Sequence, residues 1–375
     1  MLHTVYIGTY THGGGGGSGG GGGKGVYRAT LSGEGKLSLI DAAETTSPSY
    51  LIFSGDKKFI YAANEGREVD GKPGGAVTAF SVAEGGGDSG CVGDAGGGSD
   101  GSGSAGGALT KVVTRSTGGG SPCHLLELGG YLYAANYGNG SITVFPLVDG
   151  VPGEAEFTHQ HEGSGPDKSR QEGPHAHCAM NVPGTDIVCI IDLGIDQARF
   201  YRKEDKTLTL VQALSFPGGA GPRHVVFSSC GRFGWVVTEL SNEIYCIKND
   251  GAAWSISGVY PTLPQDYTGN SACAAIRLSH DGTMIAASNR FHDSVAIFGV
   301  DASGAAGGDG LLTLKGIYPC GGATPRDIEF SPDDKWLLSA NQDSDNVAVL
   351  SVNDDFKIIN GGELNISMPA SILFR

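Results

Sequence analysis

One recurring phrase limits the fold of this chain more than any other feature: a run of apolar and small residues closing on a polar side chain. It reads Ile60-Tyr-Ala-Ala-Asn64, Leu132-Tyr-Ala-Ala-Asn136, Val188-Cys-Ile-Ile-Asp192, Gly234-Trp-Val-Val-Thr-Glu239, Met284-Ile-Ala-Ala-Ser-Asn289 and Trp336-Leu-Leu-Ser-Ala-Asn341. The polar ends lie 72, 56, 47, 50 and 52 residues apart. A second phrase precedes each copy: Pro48-Ser-Tyr-Leu, Pro122-Cys-His-Leu, Pro174-His-Ala-His, Pro222-Arg-His-Val, Ala274-Ala-Ile-Arg and Pro325-Arg-Asp-Ile. A seventh copy, Pro369-Ala-Ser-Ile-Leu, has no strand of the first type after it. The missing partner is expected at the other end of the chain, in Thr4-Val-Tyr-Ile-Gly-Thr9.

Further runs such as Ser294-Val-Ala-Ile-Phe-Gly-Val alternate with period two and are rich in β-branched and aromatic residues, so they read as strands. Turn signals such as Ser331-Pro-Asp-Asp and His280-Asp-Gly separate them. No window carries a convincing 3.6-residue stripe. Repeats near 50 residues with about four short strands each predict an all-β chain, a seven-bladed β-propeller whose last blade is closed by the N-terminal strand. A β-sandwich does not account for so many copies of one phrase. The whole of residues 1–375 is expected to be a single domain. It is interrupted by glycine-rich insertions at about 13–23, 85–108 and 303–310, which hold many of the 64 glycines. No G-x-y period runs through these tracts, and no GK[ST] accompanies them, so they read as loops rather than collagen or a phosphate cradle.

Twenty-five basic against forty acidic residues give a net charge of −15, which argues against general binding to nucleic acid or anionic membrane but leaves room for a local basic pocket. Apolar runs such as Ile187 to Ile191 fall far short of the roughly 20 residues that span a bilayer. The start, MLHTVYIGTYTHG, shows no secretory pattern, and the eight cysteines form no CxxC pair. The expectation is a cytoplasmic protein with reduced thiols, a monomer or a weak homo-oligomer.

In a propeller, equivalent positions of successive blades form rings around a central channel. The upstream phrase predicts one ring from His124, His177, His224, Ala275 and Asp327, with Arg223 and Arg326 one residue earlier. The strand-ending Asn64, Asn136, Asp192, Glu239, Asn289 and Asn341 predict a second. Asn and Asp at such ends commonly bond the local backbone; Glu239 is too long for that short turn, and Arg290 beside Asn289 does not fit it either. The densest polar stretch runs from His159 to His177 and contains Arg170, Glu172 and two His-x-His pairs. Those pairs raise zinc as a possibility, but spacing supplies no carboxylate to complete a ligand set, so no metal and no cofactor is expected. Ser164 lacks the G-x-S-x-G context of a serine hydrolase.

EGSGPDKSRQEGPHAH, GPRHVVFSSCGRFGWVVTELSN, YTGNSACAAIRLSHDG, ASNRFHDSVAIF and TPRDIEFSPDD…ANQDSDNVAVL together resemble the lactonase family of seven-bladed propellers. That family contains 6-phosphogluconolactonases and the fungal carboxy-muconate lactonising enzymes. The likeness spans nearly the whole chain, and departs from the common pattern at Ala275, where the family usually has Glu. It implies hydrolysis of a sugar-phosphate lactone or, in the sister branch, cycloisomerisation of a carboxylated diene acid. The family's candidate catalytic residues fall on His175, Arg223 and Glu239.

Lactone hydrolysis needs a fixed donor for the developing oxyanion, which Arg223 would supply, and a base for the water, His175 or Glu239. A 6-phosphate needs guanidinium partners, for which Arg170, Arg277 and Arg290 are available, with His124, His177 and His224 around the same mouth. A small anionic lactone is thus the expected partner. The fold alone would equally permit a non-catalytic interaction scaffold. An enzyme should gather His175, Arg223, Glu239 and further arginines around one pocket; a scaffold need not.

Overall fold

The computed structural model describes residues 2–12, 22–66, 68–69, 72–83, 107–301, 311–359 and 361–375. The three expected glycine-rich insertions lie almost wholly outside them. Seven antiparallel sheets, each of four or five strands, follow one another along the chain as the blades of a β-propeller. Among the described residues the only helical element is a three-residue 3-10 turn, Gln342–Ser344, and no helix is long and apolar enough to cross a membrane.

The first blade is built from Pro48–Phe53, Phe59–Asn64, Ala76–Val82 and Leu109–Ser116. Blades two to six begin at Pro122, Ala176, Pro222, Ala272 and Pro325 in the same way. The upstream phrase is therefore the innermost strand of each blade, and the Ala-Ala-Asn phrase is the second. The seventh blade joins the two ends of the chain: Pro369–Phe374 is its innermost strand, and His3–Thr9 pairs with it antiparallel, Ile7 opposite Ile372 and Tyr6 opposite Leu373. This is the closure that the orphan seventh copy predicts. Each innermost strand touches the next around the ring, and the Pro369–Phe374 strand touches Pro48–Phe53 to complete it.

The second strands read almost entirely apolar because neighbouring blades cover both of their faces. Tyr61, Ala62, Tyr133, Ile190, Val236 and Leu337 are all buried. Cores form between blades rather than within them: Cys189, Phe200, Val236, Tyr245 and Trp254 from blades three and four pack together, with Phe200 stacked on Trp254 at 4.8 Å. The outermost strands have only one covered side, so exposed residues concentrate in them, as in Thr207–Ser215.

Six of the seven innermost strands carry a register shift just after their first paired residue, and in the fifth blade the shift comes one pair later, between Cys273 and Ile276. Pro48 pairs with Asn64 and Tyr50 with Ala63, leaving Ser49 unpaired. Cys123, His177, Arg223 and Arg326 are skipped in the same way. A bulge re-aims one side chain out of the pleat. Repeated around the ring, it delivers one side chain per blade to the mouth of the axial channel.

Candidate active site

The bulges correct the first predicted ring. Ala176, not Pro174, pairs with Asp192 and takes the place that Pro122 takes opposite Asn136. His177 therefore shares a level with Cys123, Arg223 and Arg326, one step nearer the mouth than His124 and His224. The second ring shifts as well. Thr238 lies opposite Pro222, where Asn64, Asn136 and Asn341 lie in their blades. It is Thr238 that satisfies the local turn, its hydroxyl bonding Ser241 and the Glu243 backbone. Glu239 is the next residue, level with Glu65, Tyr137 and Arg290, and this is why it escapes the capping role. Of the true strand-end residues, Asp192 accepts from the local Gly194 N–H, whereas the asparagines tie strands together: Asn64 bonds Thr45 and Thr46, Asn136 the hydroxyls of Ser141 and Thr143, and Asn289 Thr262 and Ser294.

The two rings and two inter-blade connections enclose a cavity of about 420 Å³. Its wall includes Arg170, Arg223, Arg290, Arg326, Glu65, Glu239, Tyr137, His177 and Cys123. Four guanidiniums face two carboxylates, a local excess of two positive charges in a chain of net charge −15. Low-dielectric walls around one sign of charge focus the field on an anion of opposite sign.

Three of the four arginines meet at Glu239, whose side chain is 5% exposed. Arg223 Nε lies 3.0 Å from Oε2 and an Arg290 amino group 2.9 Å from the same oxygen. Arg170 bonds Oε1. Burial alone would raise the Glu239 pKa; Arg290, Arg223 and Arg170 outweigh it and hold the carboxyl well below the usual range. Arg223 is itself anchored by the Ala274 carbonyl at 2.6 Å. Burial, followed by repulsion from Arg290, pushes its pKa down to about 10, against the pull of Glu239. It remains charged at neutral pH, in surroundings that one further anion would improve.

Local structure explains how these side chains converge. Gly221, at φ +61°, makes the turn before Pro222. Its carbonyl accepts from the Glu239 backbone at 2.7 Å, and its own N–H is held by Asp196. A side chain there would sit 2.5 Å from Leu240 Cγ. Arg170 arrives from the long connection between blades two and three, and is 37% exposed. The buried amide of Gln171 pins that connection to the Leu193 carbonyl, and His161 is locked to Asp192 at 2.6 Å.

The second carboxylate, Glu65, stands three blades from Glu239 around the ring. Its Oε2 accepts from the Tyr10 hydroxyl at 2.6 Å and from Arg326 at 3.3 Å. Arg326 also lies over the Tyr10 ring, 5.0 Å from its centroid.

The remaining expected residues are sorted by the same geometry. His175 is not in the cavity wall. Its Nδ1 lies 2.7 Å from the Tyr137 carbonyl, its backbone N–H donates to Asp192, and its ring stacks under Tyr137 at 4.5 Å. Tyr137 thus separates it from the cavity, and the imidazole that does line the wall is His177. Burial, then Arg223, lowers the His177 pKa well below its ordinary value, so the ring is neutral at pH 7. His124 and His224 lie one level deeper. They contact each other edge to face at 5.4 Å, and His124 stacks on Tyr50 at 4.1 Å. Burial lowers the pKa of both, His124 to about 3. Arg277 does not reach the cavity: it is committed to Asp327 at 2.6 Å and Glu329 at 2.7 Å. The His-x-His pairs are dispersed, His159 and His161 bonding the Tyr201 hydroxyl; among the described residues no three His, Cys, Asp or Glu gather as metal ligands.

Sequence reasoning missed Glu65, Tyr10 and Tyr137, and left Arg326 out of the site. The signal was available in the residue after the strand end, which lines the cavity in four blades as Glu65, Tyr137, Glu239 and Arg290.

Comparison with known proteins agrees with this architecture. The model of the family described as "Lactonase, 7-bladed beta-propeller" matches residues 4–372. The 6-phosphogluconolactonase of Bacillus subtilis strain 168 is 31% identical over 92% of this chain and 89% of its own. The structure of the periplasmic gluconolactonase of Pseudomonas aeruginosa superposes with a TM-score of 0.83 at 25% identity, covering 100% of this chain and 99% of its own. A protein from Lactobacillus plantarum gives 0.82 at 28% identity, with complete coverage of both chains. Fold, blade count and sequence together place the chain in the seven-bladed β-propeller lactonase family.

Proposed function

We propose that this protein hydrolyses 6-phospho-D-glucono-1,5-lactone to 6-phosphogluconate, the lactone-opening step of the oxidative pentose phosphate route, in the cytoplasm. A lactone-hydrolysing enzyme is supported by the family; the phosphorylated substrate is supported by one observation above all, four guanidiniums against two carboxylates around a single cavity. A phosphate monoester carries up to two negative charges and three acceptor oxygens, which suits guanidinium forks converging from several blades. Arg170 is bonded to Glu239 through one amino group, and Arg290 is ion-paired with it while donating Nε and one amino group to the Ala272 and Cys273 carbonyls; each keeps its second amino group for the phosphate. The cavity is large enough for one hexose phosphate.

The reaction develops negative charge on the carbonyl oxygen of C1 as water adds. Arg223, fixed by Glu239 and the Ala274 carbonyl, is a preorganised donor for that charge and needs no reorganisation when it forms. Glu239 is the counter-ion that holds three guanidiniums together rather than the base: both oxygens are engaged, and its low proton affinity would make it a poor proton acceptor. His175 orients Tyr137 from behind. The neutral His177 lets a substrate hydroxyl bond without adding a further cation.

The test is lactone hydrolysis followed by coupled reduction of the next dehydrogenase's cofactor, with and without the protein. Hydrolysis of the phosphorylated lactone should exceed the spontaneous rate at least about a hundredfold at micromolar enzyme. A rate no greater than the spontaneous one, alongside turnover of a carboxy-muconate lactone, would assign the cavity to cycloisomerisation; turnover of neither would leave a binding propeller.

A further inference from the structure

Opening a lactone requires a group to take a proton from water, and the two residues expected to do so are otherwise engaged: His175 lies behind Tyr137, and Glu239 is bonded by three arginines. We propose that Glu65 is the general base, a role that rests on the lactonase reading above.

The two cavity carboxylates differ in what their oxygens are doing. Glu65 carries both of its side-chain partners, Tyr10 and Arg326, on Oε2; among the described residues none donates to Oε1. The carboxylate lines the cavity and is 13% exposed, so its uncommitted oxygen is the one available to a water molecule. Its orientation is fixed from the ring closure: Tyr10 is fully buried and its backbone N–H bonds the Met368 carbonyl at 3.0 Å. A base held by one oxygen and open at the other is preorganised for proton transfer. His177 is a poorer choice, because protonation would create a cation buried beside Arg223.

The step balances without any further reactant. Glu65 Oε1 takes a proton from water while the water oxygen bonds to C1 and the carbonyl π pair moves onto its oxygen. Loss of charge on Glu65 leaves Arg326 without that counter-charge at the moment the oxyanion appears across the same cavity. The carbonyl then re-forms, the bond from C1 to the ring oxygen breaks, and that oxygen takes the proton back from Glu65. The new carboxylic acid ionises and releases one proton to solvent.

Glu65→Gln keeps the size of the side chain and removes its basicity. Turnover should fall at least about a hundredfold, while KM for the phosphorylated lactone stays level or drops, because an anion site has lost a negative charge. Glu65→Ala should recover a measurable part of its activity when formate is added, which a purely structural role would not allow. The folded state is verified by titration with 6-phosphogluconate, expected to bind Glu65→Gln at least as tightly as the unsubstituted protein. The proposal is overturned if Glu65→Gln keeps more than a tenth of its turnover, if the loss appears in KM instead, or if formate restores nothing. Absence of lactone hydrolysis in the unsubstituted protein would instead overturn the lactonase reading, and this role with it.

Discussion

Glu239 and Glu65 leave their second strands at equivalent positions, three blades apart, yet one is bonded through both oxygens to three guanidiniums while the other carries its two partners on a single oxygen. The difference comes from the neighbours each blade supplies. Around Glu239, a bulge residue (Arg223), the next blade's strand end (Arg290) and a long connection (Arg170) all deliver cations. Around Glu65, the ring closure delivers a tyrosine and only the sixth blade delivers an arginine. One fold position thus yields a structural anion on one wall and an available carboxylate on the other.

The largest expected effect tests the structural side of that comparison. Glu239→Gln leaves two buried guanidiniums, Arg223 and Arg290, and the partly exposed Arg170 without their shared counter-ion and should cost about 3–5 kcal/mol of unfolding free energy in urea titrations. The pH dependence has a definite sign. The folded carboxyl titrates below its ordinary value of 4.5, so its contribution is fully present above that pH and is lost as pH falls through the lower, folded value. The stability gap between the two proteins should be constant from pH 7 to about 5 and narrow below 4.5. A gap that widens on acidification would contradict the assignment.

The fold was legible in the sequence because seven copies of one phrase could be aligned by eye, and because the orphan copy at Pro369 called for a strand that only Thr4–Thr9 could supply. The site was legible only to within one residue. Bulges leave no mark in the sequence, so His177, itself the bulge residue of its blade, was aligned from the downstream turn into the wrong ring, and the Trp-Val-Val-Thr-Glu run of the fourth blade hid that Thr238, not Glu239, was the strand-end residue. Arg277 looked like a phosphate ligand because nothing in the sequence reveals that Asp327 and Glu329 lie across the blade boundary from it. Arg170, in contrast, stood out as a basic residue in a long non-repetitive connection, where functional side chains concentrate.

A middle-sized effect separates binding from folding. Arg170 is more than a third exposed and comes from a connection held by Gln171, so Arg170→Ala should change stability by less than about 1 kcal/mol. KM for the phosphorylated lactone should nevertheless rise about tenfold, the loss of one charge-assisted partner. Parallel losses in melting temperature and KM would make Arg170 a structural strut instead.

The smallest effect probes the other wall. Tyr10→Phe removes one hydrogen bond from Glu65 Oε2 and should lower kcat about two- to fivefold through looser orientation of the carboxylate. An unchanged kcat would show that Arg326 alone positions Glu65.

The central claim is that the propeller's mouth selects its ligand by charge. Calorimetric titration with 6-phosphogluconate and, separately, with gluconate tests it most directly. The account predicts that the phosphorylated acid binds at least about a hundredfold more tightly, a difference near 3 kcal/mol, and that Arg170→Ala narrows it. Equal affinities for the two acids would contradict it.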